Sequence, residues 1–325
     1  MKRILVLLTV FVVLVAPRAA GAQAPALLSI WTNGGTHGLG RPWHLGLDAA
    51  GHVYVSDPGQ HRVFAFAPDG TPLASWDCPV LSLLDFDPEG LAVGPAGPVY
   101  VTTPFPSGPA VFLLGAFTTG GDWLGALGSI GSGPGQLGRP TDVARDAAGN
   151  LYLADDGNLR VEVLSSAGDF VAQWGSYGSA AGQFEAPLAI AVGPDGLVYV
   201  TDDVTQRVEA FTASGAFVRQ WGSYGSGPGQ LAGPRGIALD AAGDVYVADT
   251  GNDRIEVFDA LGRFLAQWGA YGSGPGQFDR PSGVGIGPDG RIYVADSWNS
   301  RIEVFEPLPT PVARPTWGAL KSRFR

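Results

Sequence analysis

A segment that opens on proline and runs into small and apolar residues recurs at Pro42, Pro88, Pro140, Pro187, Pro234 and Pro281, the last four starting 47 residues apart. Repeats of roughly 40–50 residues that hold several short strands mark propeller blades, because one such sheet cannot bury both faces without neighbours. The period therefore predicts an all-β chain. Its expected form is a six-bladed β-propeller with four antiparallel strands per blade.

The fifth copy shows how one blade is written. Its strands are expected over 234–240, 243–249, 254–258 and 262–269, with Asp240-Ala241-Ala242-Gly243, Asp249-Thr250-Gly251-Asn252 and Ala260-Leu261-Gly262 as the turns between them. A small residue stands at one place in the first strand of every copy: Gly46, Ala92, Ala144, Ala191, Ala238 and Gly285. Blades radiate from an axis, so the space between their inner strands narrows to what Ala or Gly fills. Tyr54, Tyr100, Tyr152, Tyr199, Tyr246 and Tyr293 should fill the wider wedge farther out, as core and not as a binding ladder. The sixth copy stops after Arg301–Phe305, while Leu27-Leu28-Ser29-Ile30-Trp31 precedes the first. The N-terminal strand is thus expected to close the ring and remove two exposed sheet edges.

One repeat fills most of the 325 residues, so a single closed domain over 23–306 is expected. Residues 1–22 read as a signal peptide: Lys2 and Arg3, an apolar run from Ile4 to Ala16, then Ala20-Gly21-Ala22 as the cleavage site. The run falls short of the ~20 residues of a membrane span. A secreted or periplasmic, monomeric product with no membrane span is expected. The formal net charge is −10 and no basic stripe crosses the blades, which argues against nucleic acid as a partner. Cys78 is the single cysteine, so no internal disulfide is available. Residues 307–325 change character to a Pro-rich linker and a basic tail, read as an envelope-docking element or a tail without a role.

The combined pattern, Gly-x-Gly-Gln-Phe-x-x-Pro-x-Gly-Val-Ala-Val-Asp, then Gly-Asn-Val-Tyr-Val-Ala-Asp, then Asn-x-Arg-Ile-x-Val-Phe, closely resembles the NHL repeat over residues 27 to 306. The resemblance implies a six-bladed β-propeller, in agreement with the copy count. It implies no single activity, since the family's functions are diverse. Related lyases bring metal-ligating histidines from different blades to the axis; here no histidine follows His61.

The most conspicuous motifs read as structural. Gly131-Ser132-Gly133-Pro134-Gly135-Gln136 and its copies at Gly225 and Gly272 precede a strand, whereas phosphate loops precede a helix. They are expected to be inter-blade crossovers. The Asp-x-x-Asn-x-Arg element, as in Asp155/Asn158/Arg160, Asp249/Asn252/Arg254 and Asp296/Asn299/Arg301, has variants Asp57/Gln60/Arg62 and Asp202/Thr205/Arg207. It should lock the turn, with Asp accepting backbone N–H groups, Asn in the left-handed conformation and Arg paired to Asp.

Departures from the repeat point to function. The two residues after each repeat proline should ring the mouth of the central channel, and among them Trp43, His44, Glu89, Asp142 and Arg235 form the candidate ligand-binding rim. No catalytic residue and no cofactor is assigned; calcium or zinc held by His44, Glu89 and Asp142 is the alternative. His37, His44, His52 and His61 all fall in or just before the first blade, although the strand places His44 and His52 on opposite faces. Arg145 replaces an apolar first-strand residue and must be paired or lean outward. In the second blade Thr102-Thr103-Pro104-Phe105-Pro106-Ser107 replaces the turn lock, leaving an apolar loop suited to partner contact. A non-catalytic scaffold for a protein, peptide or glycan is the favoured function. A divalent-metal-dependent lyase or lactonase-like hydrolase at the channel is the alternative.

Overall fold

The computed structural model describes residues 24–32, 35, 37–78, 87–94, 97–103 and 113–308. The predicted leader, most of the second-blade loop and nearly all of the C-terminal tail lie outside the described residues.

Six four-stranded antiparallel sheets follow one another along the chain and form a propeller. The first blade holds Leu45–Leu47, Val53–Asp57, Arg62–Phe66 and Pro72–Asp77, and the fifth holds Pro234–Leu239, Val245–Asp249, Arg254–Phe258 and Phe264–Trp268. In the sixth, Pro281–Ile286, Ile292–Asp296 and Arg301–Phe305 are completed by Leu27–Trp31 from the N-terminus. That strand runs antiparallel to the last one, with Trp31 opposite Ile302 and Ser29 opposite Val304. Trp31 anchors the closure: it is 6% exposed and packs its ring 5.4 Å from Phe66 and 5.5 Å from Tyr293.

Packing explains the small first-strand residues. A Cβ added at Gly46 would stand 2.5 Å from Leu91 Cδ2, and one at Gly285 would stand 2.7 Å from Leu47 Cδ1. The six tyrosines are all buried in the wedges between blades. Hydrophobic burial of this kind supplies most of the driving force for folding.

The turn element does more than lock its own turn. In the fifth blade Arg254 reaches back to the preceding crossover, donating to the carbonyls of Ser226, Gly227 and Gln230 at 2.8, 3.1 and 2.8 Å. Its Nε meets Asp249 at 2.7 Å, and its other edge meets Glu256 at 2.9 Å. Asn252 bridges Asp249 and the Gly225 carbonyl. Asp249 accepts the N–H of Ala232, and Glu256 accepts that of Gly229, both on the crossover. Arg160, Arg207 and Arg301 repeat the three crossover bonds in their own blades. The Gly-rich loops are thus crossovers clamped by buried ion pairs. One detail differs from expectation: the left-handed residue is the one after Asn, at Leu159, Asp253 and Ser300. Its N–H closes the short 3₁₀ turn on the residue three positions back, which frees the Asn side chain to span the loop.

The first blade carries only part of this device. Phe64 stands where the third to sixth blades have Glu, and Arg62 instead pairs at 3.0 Å with the exposed Asp77. Asp57 still accepts the N–H groups of Gly40 and Arg41 at 2.7 and 2.8 Å.

Candidate functional site

Each blade is stitched to the next at one end of the channel by a hydroxyl that donates to a carbonyl in or just before the neighbour's first strand. Ser56 bonds the Glu89 carbonyl at 2.5 Å, Thr102 that of Thr141 at 3.3 Å, and Thr141 that of Pro187 at 3.1 Å. Thr201 bonds Arg235 at 2.9 Å, Thr250 bonds Pro281 at 2.7 Å, and Ser297 bonds Pro42 at 2.6 Å. All six seams are closed. Glycines at the second position after the proline let the strands meet: a Cβ on Gly90 would stand 2.3 Å from Asp142 Cα, and one on Gly283 would stand 2.5 Å from the Trp43 carbonyl.

Above this ring opens a cavity of about 540 Å³, lined by Trp43, Arg235, Ser282 and residues of the turns and crossovers around them. Arg41 and Arg235 lie over the Trp43 indole, at 5.2 and 4.8 Å from guanidinium carbon to ring centroid. Arg280 lies 4.6 Å over Trp298 in the same way. A guanidinium over an indole face gains electrostatic attraction from the ring. Arg280 is held in place by its own backbone, at φ 51°, with its N–H donating to Asp253 at 2.7 Å. A non-glycine residue in that region is strained, a feature that clusters at ligand clamps. Among the described residues none of these three guanidinium groups makes a hydrogen bond or closes an ion pair.

A second cavity of about 200 Å³ adjoins the first and shares Trp43, Asp203, Arg235 and Ser282 with it. It adds Glu89, Arg139, Asp156 and His44. Burial pushes the Glu89 carboxyl up to about 7, against the opposing pull of Arg139, Arg235 and Arg41. Burial also lowers Arg235, while Asp203 and Glu89 favour its charge. Arg139 is paired with Asp156 at 2.8 Å.

The floor is made by His44 and Asp142. His44 Nε2 stands 3.3 Å from Asp142 Oδ2, and both side chains are buried. The contact crosses from the first blade to the third, over Gly90 of the second. Asp142 also accepts the N–H groups of Val143 and Ile190, at 2.8 and 2.9 Å. Burial lowers His44 to about 4 and raises Asp142 well above its ordinary value, so burial works against the charged form of each. His44 borders the mouth cavity on one side and the apolar far channel on the other. Arg145 sits at that far channel, half-buried at its strand's end and near Tyr100.

Of the five rim residues read from the sequence, Trp43, His44, Glu89 and Arg235 line one cavity, and Asp142 lies beneath it. Among the described residues no three His, Cys, Asp or Glu side chains are grouped to hold a metal ion. His52 and His61 go elsewhere, to Asp48 at 2.8 Å and Asp87 at 2.9 Å. Arg41, Arg139, Arg280, Asp203 and Trp298 were not anticipated. They immediately precede the repeat proline or follow the turn aspartate, positions where the copies differ as visibly as at the rim.

Comparison with known proteins agrees on the fold. The NHL repeat matches residues 231–258 and 278–305, so the chain carries NHL repeats in its fifth and sixth blades. No curated protein matches its sequence. Among solved structures it is similar to a streptogramin B lyase, with a TM-score of 0.60 at 14% identity over 86% of this chain and 97% of that one. A protein of unknown function from Bacteroides thetaiotaomicron gives 0.64 at 17%, over 89% and 74%. The hydrazine synthase of Kuenenia stuttgartiensis gives 0.53 at 14%, over 86% and 99%. At such identities the likeness is one of fold, shared by proteins of unlike chemistry.

Proposed function

We propose that this NHL-repeat propeller is an exported, non-catalytic recognition scaffold that binds a protein, peptide or glycan ligand across the channel-mouth face. One observation carries the reading. The two adjoining cavities hold three arginines that rest on indoles with no ion pair of their own, on a ring fixed by hydroxyl-to-carbonyl bonds at every seam. Rigid scaffolds that present unsatisfied polar and aromatic groups in a concave site are built to bind. The leader at 1–22 supports secretion or a periplasmic location, and the basic tail at 307–325 supports docking to an anionic envelope surface. Titrating peptide and glycan libraries against the protein and its W43A/R235A variant tests the reading. A saturable ligand that the variant loses and that is recovered unchanged is expected. Hits that the variant keeps, or that are converted to products, overturn it.

A lyase or hydrolase at the same mouth is the second reading, and Glu89 favours it. A carboxyl brought to about 7 beside Arg235 is suited to proton transfer at neutral pH. The metal-dependent form would draw on His44, Glu89 and Asp142. Elemental analysis of the purified protein and a Glu89→Gln variant, assayed for turnover of any library hit, separate the two readings.

A further inference from the structure

We infer that the ligand of the larger mouth cavity is an acidic saccharide, a short oligosaccharide whose pyranose rings carry carboxylates. The inference rests on the binding reading above and names its ligand class.

The cavity asks for an anion. Arg41, Arg235 and Arg280 face one space in a chain whose net charge is −10, and no described side chain closes an ion pair with any of them. Asp203 and Glu89 favour the charge on Arg235, while Arg280 and Arg41 oppose it. Guanidinium groups offer forked donors that fit a carboxylate bidentately.

Yet a uniformly anionic ligand is a poor fit. Asp203, Asp253 and Asp279 line the same cavity, and their carboxylates accept hydrogen bonds from hydroxyls but repel a dense run of like charge. A uronate oligosaccharide alternates the two needs, with one carboxylate and several hydroxyls per ring. An acidic peptide supplies carboxylates and few side-chain donors.

Aromatic faces complete the match. Trp43 and Trp298 border the cavity, and Trp298 is 56% exposed at a position where the third and fifth blades have Gly157 and Gly251. A guanidinium already lies over each of these indoles, so what Trp298 offers the cavity is exposed apolar area beside a cation, a surface suited to a sugar ring that carries a carboxylate. The volume of about 540 Å³ lies within the ~300–1,000 Å³ of small-ligand sites and admits a few rings.

The test is a tryptophan-fluorescence titration, checked by calorimetry, of the full exported chain. The probes are trigalacturonate, a hyaluronan tetrasaccharide, methyl-esterified trigalacturonate and penta-glutamate. At least one uronate is expected to bind, with the ester at least tenfold weaker than the free acid. R235A/R280A and W298A, verified as folded by thermal melts, should each lose at least tenfold in affinity. No binding of either uronate overturns the inference, as does equal binding of acid and ester. Binding of penta-glutamate in their place overturns the ligand class and leaves the recognition reading standing. Conversion of a bound uronate to product does the reverse: it overturns the non-catalytic reading and leaves the ligand class intact.

Discussion

Replacing Arg254 with Ala removes a clamp whose parts are all visible. Three carbonyl bonds to the crossover and one at 3.0 Å to the Gln267 side chain are lost, together with contacts at 2.7 Å to Asp249 and 2.9 Å to Glu256. The crossover carbonyls lie on a half-exposed loop and can be rehydrated, so they contribute little to the cost. Asp249 and Glu256 are fully buried, and Asp249 keeps Ala232 and Asn252 while Glu256 keeps only Gly229. Breaking a buried pair by removing one partner costs about 3–5 kcal/mol, which for a domain of this size is on the order of 10 °C in Tm. Arg62→Ala is the internal control, because its partner Asp77 is exposed and the expected cost is below ~1 kcal/mol. If the orphaned carboxylate is the cause, the double variant R254A/E256Q should regain a good part of the loss. Denaturant melts of the four proteins decide the matter. An R254A cost near that of R62A, or no recovery in the double variant, would refute the clamp as an energetic element.

The buried glutamates make stability pH-dependent. Burial raises Glu209, Glu256 and Glu303 to about 7 from the ordinary 4.5, so the stability they confer is complete below 4.5 and lost as pH rises through 7. His44 works the other way, its contribution lost as pH falls from 6.5 toward 4. Three losses outweigh one gain between 4.5 and 7, so calorimetric melts should be highest at or just below pH 4.5 and decline toward pH 7, and a Tm that climbs steadily over that range contradicts this. Trp31→Ala should cost about 3–5 kcal/mol by emptying the closure between the first and sixth blades, measured by denaturant unfolding. Thr250→Val, which leaves the Pro281 carbonyl without its donor, should cost about 1 kcal/mol in the same assay.

The fold was open to sequence reading because every blade states it again. Period, small inner residues, wedge tyrosines and the displaced first strand each follow from packing around an axis, and each occurs six times or closes the set. The clamp was read only in half. Asp, Asn and Arg were assigned to their own turn, where local hydrogen bonding is the usual explanation. In the structure Arg254 and Asn252 spend most of their bonds 24–28 residues back, on the crossover. The constant interval of 27 between Gly131 and Asn158, Gly225 and Asn252, and Gly272 and Asn299 records that contact. It becomes meaningful only once the crossover is known to fold onto the turn.

The site was less legible for a reason built into the ring. Reading the two residues after each proline found Trp43, Glu89 and Arg235, but the cavity also draws on crossovers and turns, and stacking of Arg41 or Arg280 on an indole has no signature in sequence spacing. The seam bonds explain why these positions differ so freely. The hydroxyls of Ser56, Thr102 and Thr201 bind the backbone carbonyls of Glu89, Thr141 and Arg235, so the ring is held through main-chain atoms whatever the side chain. Glu89 and Arg235 are thereby relieved of folding duty, whereas Thr141 and Asp142 still join their blade to the next through their own side chains. Arg235→Ala should then change stability by no more than ~1 kcal/mol, the worth of its contact with Trp43, while removing ligand binding. A large loss of stability in that variant would mean that the rim arginines belong to the fold after all.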